Sequence, residues 1–359
     1  MSSSMNPLAA AMRSFVLTGF GEPLREQHTP LPEPTGSEVL LKVDACGVCH
    51  SDLHIWEGWF DLGGGRQLDI RPSIAVPRAL GHEIAGTVVA AGPDAREVRP
   101  GDRRVVYPWI GCGHCARCAD GEEHLCAAPL NLGTRRDGGF ASHVLVPHER
   151  YLVEFGDLRE ELACTYACSG LTAYSALNKA APLGAKDTLV IIGAGGVGLA
   201  GIRLARAVHG IAPVVAEIDP AKRDAAMTAG AAQVLDPRDD DAVGRFVKQA
   251  GGAAAVVDFV GTPSSVGLAM KALRKGGRLV VVGMMGGSIE LALPLLPARA
   301  LSIIGSSVGS LDEMRALVAL AREGHVPEIP VHTRPLHEAQ RSLDDLKHGR
   351  IVGRAVLQP

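Results

Sequence analysis

Residues 190–198 read VIIGAGGVG and decide the fold of this chain. A β-branched run leads into glycines spaced G-x-G-x-x-G, and a helical pattern follows them. In this arrangement the first glycine allows a tight turn, the second lets a pyrophosphate approach the backbone, and the third lets the helix pack on the strand. The helix N-terminus attracts the phosphates. The stretch therefore predicts a dinucleotide-binding turn, with contacts from Gly193, Gly195, Gly196, Val197 and Gly198.

Strand and helix patterns continue to alternate after this turn. Elements of these lengths in regular alternation predict an α/β fold with a parallel sheet covered by helices on both faces. The predicted strands are Thr188–Ile192, Val214–Ile218, Ala253–Val260 and Arg278–Gly283, and the predicted helices are Val197–His209, Ala221–Ala229 and Ser264–Leu273.

An acidic residue, Glu217, stands at the end of the second predicted strand. A carboxylate there is positioned to hydrogen-bond the ribose hydroxyls of adenosine and would repel a 2′-phosphate. The sequence thus predicts NAD as the cofactor in preference to NADP. Asp219 lies two residues further on and is an alternative or additional partner for the ribose.

The chain before residue 155 has a different texture, rich in glycine, proline and short β-branched runs. Segments such as Glu38–Val43, Ala85–Val89 and Ser142–Val146 read as short strands joined by irregular loops. Near the C-terminus, two helical patterns and a closing strand are predicted at Asp312–Glu323, His337–His348 and Ala355–Leu357. Two textures in one chain indicate two domains.

Length, charge and hydropathy narrow the class of protein. The chain has 359 residues, 47% of them hydrophobic, which is enough for a sizeable core, and its net charge is −3. No basic stripe suggests nucleic acid, and no apolar run reaches the roughly 20 residues that span a bilayer. The segment before Met12 does not resemble a signal peptide. We expect a cytoplasmic protein with a flexible N-terminal extension, residues 1–11.

Four of the eight cysteines are close together, in the spacing C-x2-C-x2-C-x7-C. Four thiolates this close can close a tetrahedral shell around one Zn²⁺, so the spacing predicts a structural zinc site. Two disulfides or four unrelated thiols are the alternatives, and nothing in the sequence suggests the oxidising compartment that disulfides need. The predicted ligands are Cys112, Cys115, Cys118 and Cys126.

The other four cysteines are scattered and accompany histidines. Cys46 and Cys49 precede His50, and Cys164 and Cys168 lie far downstream. Two cysteines and a histidine that leave one position open form a catalytic type of zinc site. Spacing alone does not select the ligands among these residues.

In this order and spacing, the motifs resemble the zinc-dependent medium-chain dehydrogenase/reductase family, specifically its alcohol dehydrogenases. The resemblance runs from Met12 to Pro359 and rests on the turn and the four cysteines described above together with GVCHSD, GHE, ACSGLTAY and GRAVL, which begin at residues 47, 81, 167 and 353. It implies a GroES-like β-rich catalytic domain and a Rossmann NAD-binding domain. The implied ranges are 12–168 with 305–359 for the first and 169–304 for the second.

The resemblance also implies the roles of individual residues. Its zinc ligands correspond to Cys49, His82 and Cys168, which leaves Cys46 and Cys164 as small buried hydrophobic residues. Asp52 is expected to fix the tautomer of His82. Ser51 takes the proton of the substrate alcohol, and His54 passes it to solvent. Glu83 is a transient zinc ligand. The implied cofactor contacts are His50 and Arg354 at the pyrophosphate, Lys222 at the ribose, and Thr172, Val282, Gly283 and Met284 at the nicotinamide.

The substrate is less defined by the sequence. Trp56 and Trp109 are predicted as walls of an apolar pocket, which favours primary or secondary alcohols with apolar substituents, and their aldehydes or ketones. No cluster of polar groups for a polyol is visible in the sequence. A polyol, amino alcohol or thiol adduct is the alternative substrate, and a non-catalytic NAD-binding redox sensor is the alternative function. By resemblance, a homodimer or homotetramer is expected, with Ser288–Leu293 and Leu301–Ile304 at the interface.

Overall fold

The structure is a computed structural model that describes residues 11–239, 241–326 and 328–359. The predicted N-terminal extension lies outside the described residues except for Ala11, which begins the first strand. In chain order the strands are β1 (Ala11–Leu17), β2 (Arg25–Pro30), β3 (Val39–Gly47), β4 (Trp59–Gly63), β5 (Arg66–Asp69), β6 (Arg78–Ala79), β7 (Glu83–Ala91), β8 (Arg103–Val106), β9 (His143–Val146), β10 (Leu152–Glu154), β11 (Leu189–Ile192), β12 (Val214–Ala216), β13 (Gln233–Leu235), β14 (Ala253–Asp258), β15 (Leu273–Val281), β16 (Ser302–Gly305), β17 (Val331–Pro335) and β18 (Arg354–Gln358).

Eleven α-helices accompany these strands in the described part of the chain. Several begin at side chains that accept a backbone N–H of the first turn, including Asp219, Thr262 and Ser310. None of the described helices has the length and apolar character needed to cross a bilayer. The helices are α1 (His50–Glu57), α2 (Ala116–Ala119), α3 (Glu160–Ala163), α4 (Ser169–Ala180), α5 (Gly196–His209), α6 (Pro220–Ala229), α7 (Ala242–Ala250), α8 (Pro263–Ala272), α9 (Leu295–Arg299), α10 (Leu311–Arg322) and α11 (Ala339–Lys347).

The six-stranded parallel sheet has the order β13-β12-β11-β14-β15-β16. Every residue of β11 and β14 is buried, as strands covered by helices on both faces require. The predicted α/β class is confirmed. The sequence patterns missed β13 and α7, which follow α6, and also missed α4. Strand β13 carries a weak pattern because it has only three residues, and α4 because it is largely buried around its circumference.

The β-rich part is built around an antiparallel sheet whose order is β10-β8-β7-β3-β18-β17, with β9 paired to β3. Strand β3 pairs with β7 over most of its length. The C-terminal strand β18 meets the end of β3, where Val356 is opposite Gly47. Strand β18 therefore joins a sheet whose other strands, apart from β17, come from the first half of the chain.

The loop between Asp52 and Gly81, whose path the sequence does not specify, contains α1 and the β4–β5 hairpin. In the hairpin, Trp59 is opposite Asp69, and Gly63 to Gly65 form the turn with positive φ angles. The backbone N–H of Gly287, in the loop after β15, donates to the carbonyl of Asp61 at 3.3 Å. The hairpin thus contacts the parallel-sheet part beside the cleft between the two sheets.

The predicted domain boundaries at residues 168/169 and 304/305 stay predictions. Gly305 is still paired with Val281 in the parallel sheet. Helix α4 follows Cys168 directly and packs against α5. It therefore connects the β-rich part to the parallel-sheet part and lines the cleft between them.

Candidate active site

Three ligand-type side chains from distant parts of the chain converge at the inner end of the cleft. Cys49 precedes α1, His82 precedes β7 and Cys168 precedes α4. Their ligand atoms all lie within 4.8 Å of one another, and all three residues are buried. The two sulfurs are 3.8 Å apart. Two thiolates bound tetrahedrally to one Zn²⁺ at about 2.3 Å would be separated by about the same distance.

The hydrogen bonds around His82 fit a metal ligand. Its Nδ1 lies 3.0 Å from Asp52 Oδ1, so the other ring nitrogen, Nε2, is the one left for a ligand. Among the described residues, Nε2 is a buried nitrogen without a hydrogen-bond partner. A buried polar atom that lacks a partner is costly unless something binds it. The arrangement matches the expected carboxylate–histidine pair that orients a zinc ligand.

The charges in this pocket also favour a cation. Hydrogen bonding with Cys168 lowers the pKa of Cys49 well below its ordinary value. The same contact, together with burial, raises the pKa of Cys168. Two adjacent thiols cannot both ionise in a buried pocket without a positive charge between them. The three residues together therefore fit a divalent metal that accepts sulfur and nitrogen ligands.

The four locally spaced cysteines form a second group on a surface lobe. Their sulfurs lie 3.5 Å apart for Cys115 and Cys118, 3.8 Å for Cys115 and Cys126, and 3.9 Å for Cys112 and Cys118. A disulfide requires about 2.05 Å, and all four cysteines are unbridged. Gly111 is needed beside them, because a Cβ there would meet Cys118 Sγ at 2.4 Å. The group fits a closed tetrahedral zinc site.

The remaining cysteines, Cys46 and Cys164, are buried and belong to neither group. Burial raises the pKa of both thiols. A Cβ at Gly81 would meet Cys46 Sγ at 2.8 Å, so the space around this thiol is tightly packed. Both residues behave as the small buried hydrophobic residues that the resemblance implies.

The three polar residues predicted for proton transfer and pyrophosphate contact lie along α1 and all line the cleft. They are His50, Ser51 and His54. The His54 ring lies 4.7 Å from that of Phe60 and 6.1 Å from that of His50. Burial lowers the pKa of His50 and of His54, which keeps both rings neutral near pH 7. A neutral imidazole can accept a proton from a neighbouring hydroxyl.

Glu83 and Arg354 form a buried ion pair, although they are 271 residues apart in sequence. Arg354 Nε donates to Glu83 Oε2 at 2.9 Å, and the Ser169 backbone N–H donates to Oε1 at 3.0 Å. Glu83 is outside the group formed by Cys49, His82 and Cys168, so its predicted transient binding to zinc would require this pair to open. Arg354 still lines the cleft, and its guanidinium would lie 3.1 Å from a Cβ at Gly196.

The glycine-rich turn has the geometry that the sequence predicts. Gly193 adopts a φ of +89°, and a Cβ at Gly198 would lie 2.0 Å from the Gly193 carbonyl oxygen. A Cβ at Gly195 would meet nothing within 4 Å, so this face is open for a pyrophosphate. Glu217 directly follows the neighbouring strand β12 and accepts the Ala194 backbone N–H at 2.7 Å. The residues thus fit a dinucleotide.

The other predicted cofactor contacts line the same cleft. They are Thr172 on α4, Lys222 on α6 and the segment Val282–Met284 after β15. The Asp219 carboxylate accepts the Ala221 backbone N–H at 2.8 Å as the cap of α6, so the helix already uses this side chain. The cleft encloses about 1480 Å³, which is large enough for a dinucleotide with a small substrate.

One of the two predicted tryptophan walls is correct. The Trp109 ring lines the cleft 5.2 Å from the His82 ring, and its Nε1 donates to the Ala167 carbonyl at 3.0 Å. Trp56 is not a pocket wall. It lies on the other face of α1, where its Nε1 donates to the Glu22 carbonyl at 2.6 Å and the Lys347 ammonium lies 5.3 Å from the ring centroid.

The outer end of the cleft contains polar side chains that the sequence patterns did not indicate. Lys179 Nζ donates to Ser175 Oγ at 2.8 Å and to Ser306 Oγ at 3.0 Å. His124 and Glu313 line the same part of the cleft. The spacing of polar residues after Cys168 could have indicated this cluster. Thr172, Ser175 and Lys179 recur every three or four residues, which places them on one face of α4.

Comparison with known proteins agrees with this geometry. Residues 35–157 match the alcohol dehydrogenase GroES-like domain, and residues 196–323 match the zinc-binding dehydrogenase domain. The chain is 38% identical to an NAD-dependent alcohol dehydrogenase of Sulfurisphaera tokodaii over 97% of its own length and 100% of that protein. The chain belongs to the zinc-type medium-chain alcohol dehydrogenase family.

Solved structures show the same architecture. An alcohol dehydrogenase from Aeropyrum pernix superposes with a TM-score of 0.87 at 28% identity, covering 97% of this chain and 100% of that one. A thermostable alcohol dehydrogenase from Pyrobaculum aerophilum with bound cobalt and zinc superposes with a TM-score of 0.84 at 27% identity, with the same coverage of both chains. The GroES-like and Rossmann assignments of the two parts of the fold are thereby confirmed.

Proposed function

We propose that this protein is an NAD-dependent zinc alcohol dehydrogenase that interconverts primary or secondary alcohols with aldehydes or ketones. The observation that carries the proposal is the convergence of Cys49, His82 and Cys168 within 4.8 Å at the inner end of the cleft that the glycine-rich turn also lines. A second zinc held by the four-cysteine lobe has a structural role. Family membership and the NAD-dependent relatives support the same assignment.

When bound, the zinc supplies a Lewis acid that lowers the pKa of the substrate hydroxyl, and NAD supplies the hydride acceptor. The residues of the chain supply orientation and proton movement. Asp52 holds the His82 ring in one tautomer through Nδ1. Ser51 Oγ accepts the proton of the substrate hydroxyl as it gives up its own, and the neutral His54 ring takes up the released proton and passes it to solvent. Because burial lowers the pKa of His54, the ring is ready to accept a proton at neutral pH.

The cofactor is expected to lie across the carboxyl ends of the parallel strands. Glu217 follows β12 and binds the adenosine ribose, and Lys222 on the adjacent helix contributes there. The pyrophosphate meets the backbone at Gly195, with Arg354 as a positively charged neighbour and His50 as a polar one. Thr172 and Val282–Met284 surround the nicotinamide near Cys168. A carboxylate at Glu217 selects NAD over NADP because a 2′-phosphate would be repelled.

A panel of alcohols with NAD or NADP, monitored by the absorbance of the reduced cofactor, tests this function. Turnover with NAD that exceeds turnover with NADP supports the proposal, and metal analysis is expected to find two zinc ions per chain. The absence of turnover with every alcohol, together with retained NAD binding, would instead support the redox-sensor alternative. A single zinc ion per chain would contradict the assignment of paired sites.

Assembly and cellular location remain proposals. Strand β16 is the edge of the parallel sheet, and the exposed Ile303, Ile289 and Leu293 lie on or near it. An exposed apolar edge strand supports a homodimer or homotetramer in which two sheets join. Size-exclusion chromatography with light scattering, compared between the wild type and Ile303→Lys, tests this interface. We also propose a cytoplasmic location, where reduced thiols are available for zinc.

A further inference from the structure

The outer polar cluster, composed of Ser175, Lys179, Ser306, His124 and Glu313, lies in the cleft beyond the residues assigned to the cofactor. Helix α4 begins directly after Cys168, and its cleft-facing residues lead outward from the metal ligands to this cluster. Lys179 Nζ lies beside Ser175, seven residues after Cys168. At a helical rise of about 1.5 Å per residue, the ammonium is about 10 Å further along the axis than the metal ligand.

Sheet order separates this cluster from the proposed path of the dinucleotide. Glu217 follows β12, the turn of Gly193 follows β11 and Val282 follows β15, whereas Ser306 follows the edge strand β16. Neighbouring strands are about 4.8 Å apart, and β16 lies four strand positions from β12. Ser306 is therefore about 19 Å from the carboxyl end of β12. A dinucleotide that runs from Glu217 to a nicotinamide at Val282 ends one strand spacing, about 4.8 Å, before Ser306, so the outer polar cluster lies past the nicotinamide end of this path.

The Lys179 ammonium is held in place without a bonded counter-ion. Its two hydrogen bonds go to hydroxyls, and among the described residues it forms no salt bridge. Glu313 is near, but its Oε2 accepts the Ser310 backbone N–H at 3.0 Å and its Oε1 accepts from Asn178 at 3.2 Å. Burial lowers the pKa of Lys179, with Glu313 and Glu122 acting in the opposite direction. A partly buried ammonium without a bonded anion donates a strong, charge-assisted hydrogen bond to an oxygen that enters the cleft.

His124 is a second, independent sign of a ligand in the same place. Its side chain lines the cleft and is only 4% exposed. Its Nδ1 is buried and has no hydrogen-bond partner in the part of the chain that the structure describes. The nearest acid, Glu122, is 3.7 Å from the other ring nitrogen, Nε2. Buried ring nitrogens are normally paired, so Nδ1 lacks a partner that a substrate group can supply.

The inner part of the substrate cleft is apolar by contrast. Apolar residues that line the cleft are Trp109, whose ring lies 5.2 Å from that of His82, and Leu132, Leu125, Ile74 and Phe60. A carbon chain fits this stretch, and a polar group fits its outer end. The cleft is therefore amphipathic along its length, which a purely apolar alcohol would not use fully.

We propose that Lys179 and His124 form a specificity subsite that binds a second oxygen-bearing group, a hydroxyl or a carboxylate, at the end of the substrate remote from the reacting carbon. This inference rests on the proposed function, because it names the class of alcohol that the same site prefers. Lys179 donates to the distal oxygen, and Ser175 and Ser306 hold the ammonium in position. Glu313 and Glu122 add acceptors for a hydroxyl and oppose a carboxylate, so the two kinds of distal group are separate arms of the test.

Steady-state kinetics on matched alcohols tests the subsite. The series from butan-1-ol to octan-1-ol is compared with the α,ω-diols and ω-hydroxy acids of the same chain lengths. At the best length, we expect kcat/KM for a diol or hydroxy acid to exceed that for the plain alcohol about tenfold or more. Lys179→Met should lower kcat/KM for the diol or hydroxy acid by about 10- to 100-fold, because a hydrogen bond to a charged donor is lost. The same substitution should change kcat/KM for the plain alcohol by less than about threefold. Lys186→Met, an exposed lysine outside the cleft, is the control.

A binding measurement separates the subsite from catalysis. The zinc-loaded protein with NADH is titrated calorimetrically with hexanamide, 6-hydroxyhexanamide and 6-amino-6-oxohexanoate, which do not react. At least one of the two oxygen-bearing amides should bind more tightly than hexanamide to the wild type, and Lys179→Met should abolish the difference. If Lys179→Met folds poorly, Ser306→Ala provides a second variant, which should reduce the same preference about threefold without removing the charge.

The outcomes distinguish this inference from the proposed function. Turnover of plain alcohols without any preference for a distal oxygen overturns the subsite and leaves the dehydrogenase assignment intact. Binding that depends on Lys179, in a protein that oxidises no alcohol, supports the subsite and overturns the proposed reaction. If Lys179→Met weakens NADH as much as the oxygen-bearing amides, Lys179 serves the cofactor and the inference fails.

Discussion

The two groups of metal ligands in this protein are built in opposite ways. In the surface lobe, all four sulfurs come from residues 112–126, so the ligands converge through local turns. In the cleft, Cys49 and Cys168 are 119 residues apart, and three separate elements position the ligands. The lobe closes its shell with four cysteines, whereas the cleft site offers three protein ligands and opens on a large cavity. Under the proposed function, the more recognisable sequence spacing belongs to the structural site, and the scattered residues form the site for chemistry.

The most severe test of this comparison removes a ligand of the cleft site. Cys49→Ala should reduce kcat/KM by about 10³-fold or more, because the Lewis acid supplies several kcal/mol of transition-state stabilisation. The metal content should fall from two zinc ions per chain to one. Mass spectrometry of the metal content and NADH absorbance measure both effects.

Cys46→Ala is the matched control, because Cys46 is buried three residues earlier and belongs to neither ligand group. It should retain both zinc ions and most of the turnover. If Cys49→Ala kept its turnover, or if Cys46→Ala lost as much, the assignment of chemistry to the cleft site would fail.

A ligand of the lobe should give the opposite pattern. Cys118→Ser should release the lobe zinc and lower the free energy of unfolding by several kcal/mol, because binding of a structural zinc is coupled to folding. The remaining folded protein should retain most of its kcat. Thermal unfolding with zinc analysis measures the loss, and Arg117→Ala, an exposed neighbour on α2, is the control. A Cys118→Ser protein with unchanged stability would contradict a structural role for the lobe.

Asp52 contacts His82 of the cleft site and so distinguishes this site from the lobe. Asp52→Asn keeps the shape of the side chain but removes the charge that orients His82 through Nδ1. Loss of such a partner typically weakens metal affinity about 10- to 100-fold. Competition with a chelator should therefore remove the cleft zinc from the variant first and leave the lobe zinc unaffected. Equal release of both metals would show that Asp52 has no such role.

The smallest effect is expected at His54, which in the proposed relay moves a proton without binding the metal. His54→Gln should slow alcohol oxidation about tenfold, which is less than the roughly 10²- to 10⁴-fold of a direct general base, because His54 only relays the proton that Ser51 passes on. In the wild type, burial lowers the pKa of His54 below the ordinary histidine value of 6.5. The neutral ring therefore persists as the pH falls to 6.5, and alcohol oxidation declines only at lower pH. The pH profile of kcat should lose this limb in His54→Gln. An identical profile in both proteins would exclude His54 from the relay.

Some parts of the fold were predictable because their signals are local. The alternating pattern after residue 187 predicts β11, α5, β12 and α6 to within a few residues, since strand and helix periodicities are properties of short windows. The strand β13 was missed, because three residues are too few to show a period. The side of α1 that faces the cleft was also outside the reach of these patterns, and Trp56 was therefore misplaced.

Local sequence patterns were sufficient to predict the dinucleotide turn and the local cysteine group, and the resemblance to a known family supplied the candidate ligand set Cys49, His82 and Cys168. Packing of distant segments, and no local pattern, pairs Glu83 with Arg354, places Trp109 rather than Trp56 along the cleft, and brings Lys179 to Ser306 at its outer end. The physical reason is the range of the interactions. Turns and helix periods are set by neighbouring residues, whereas contacts between residues more than a hundred positions apart exist only once the two sheets have packed.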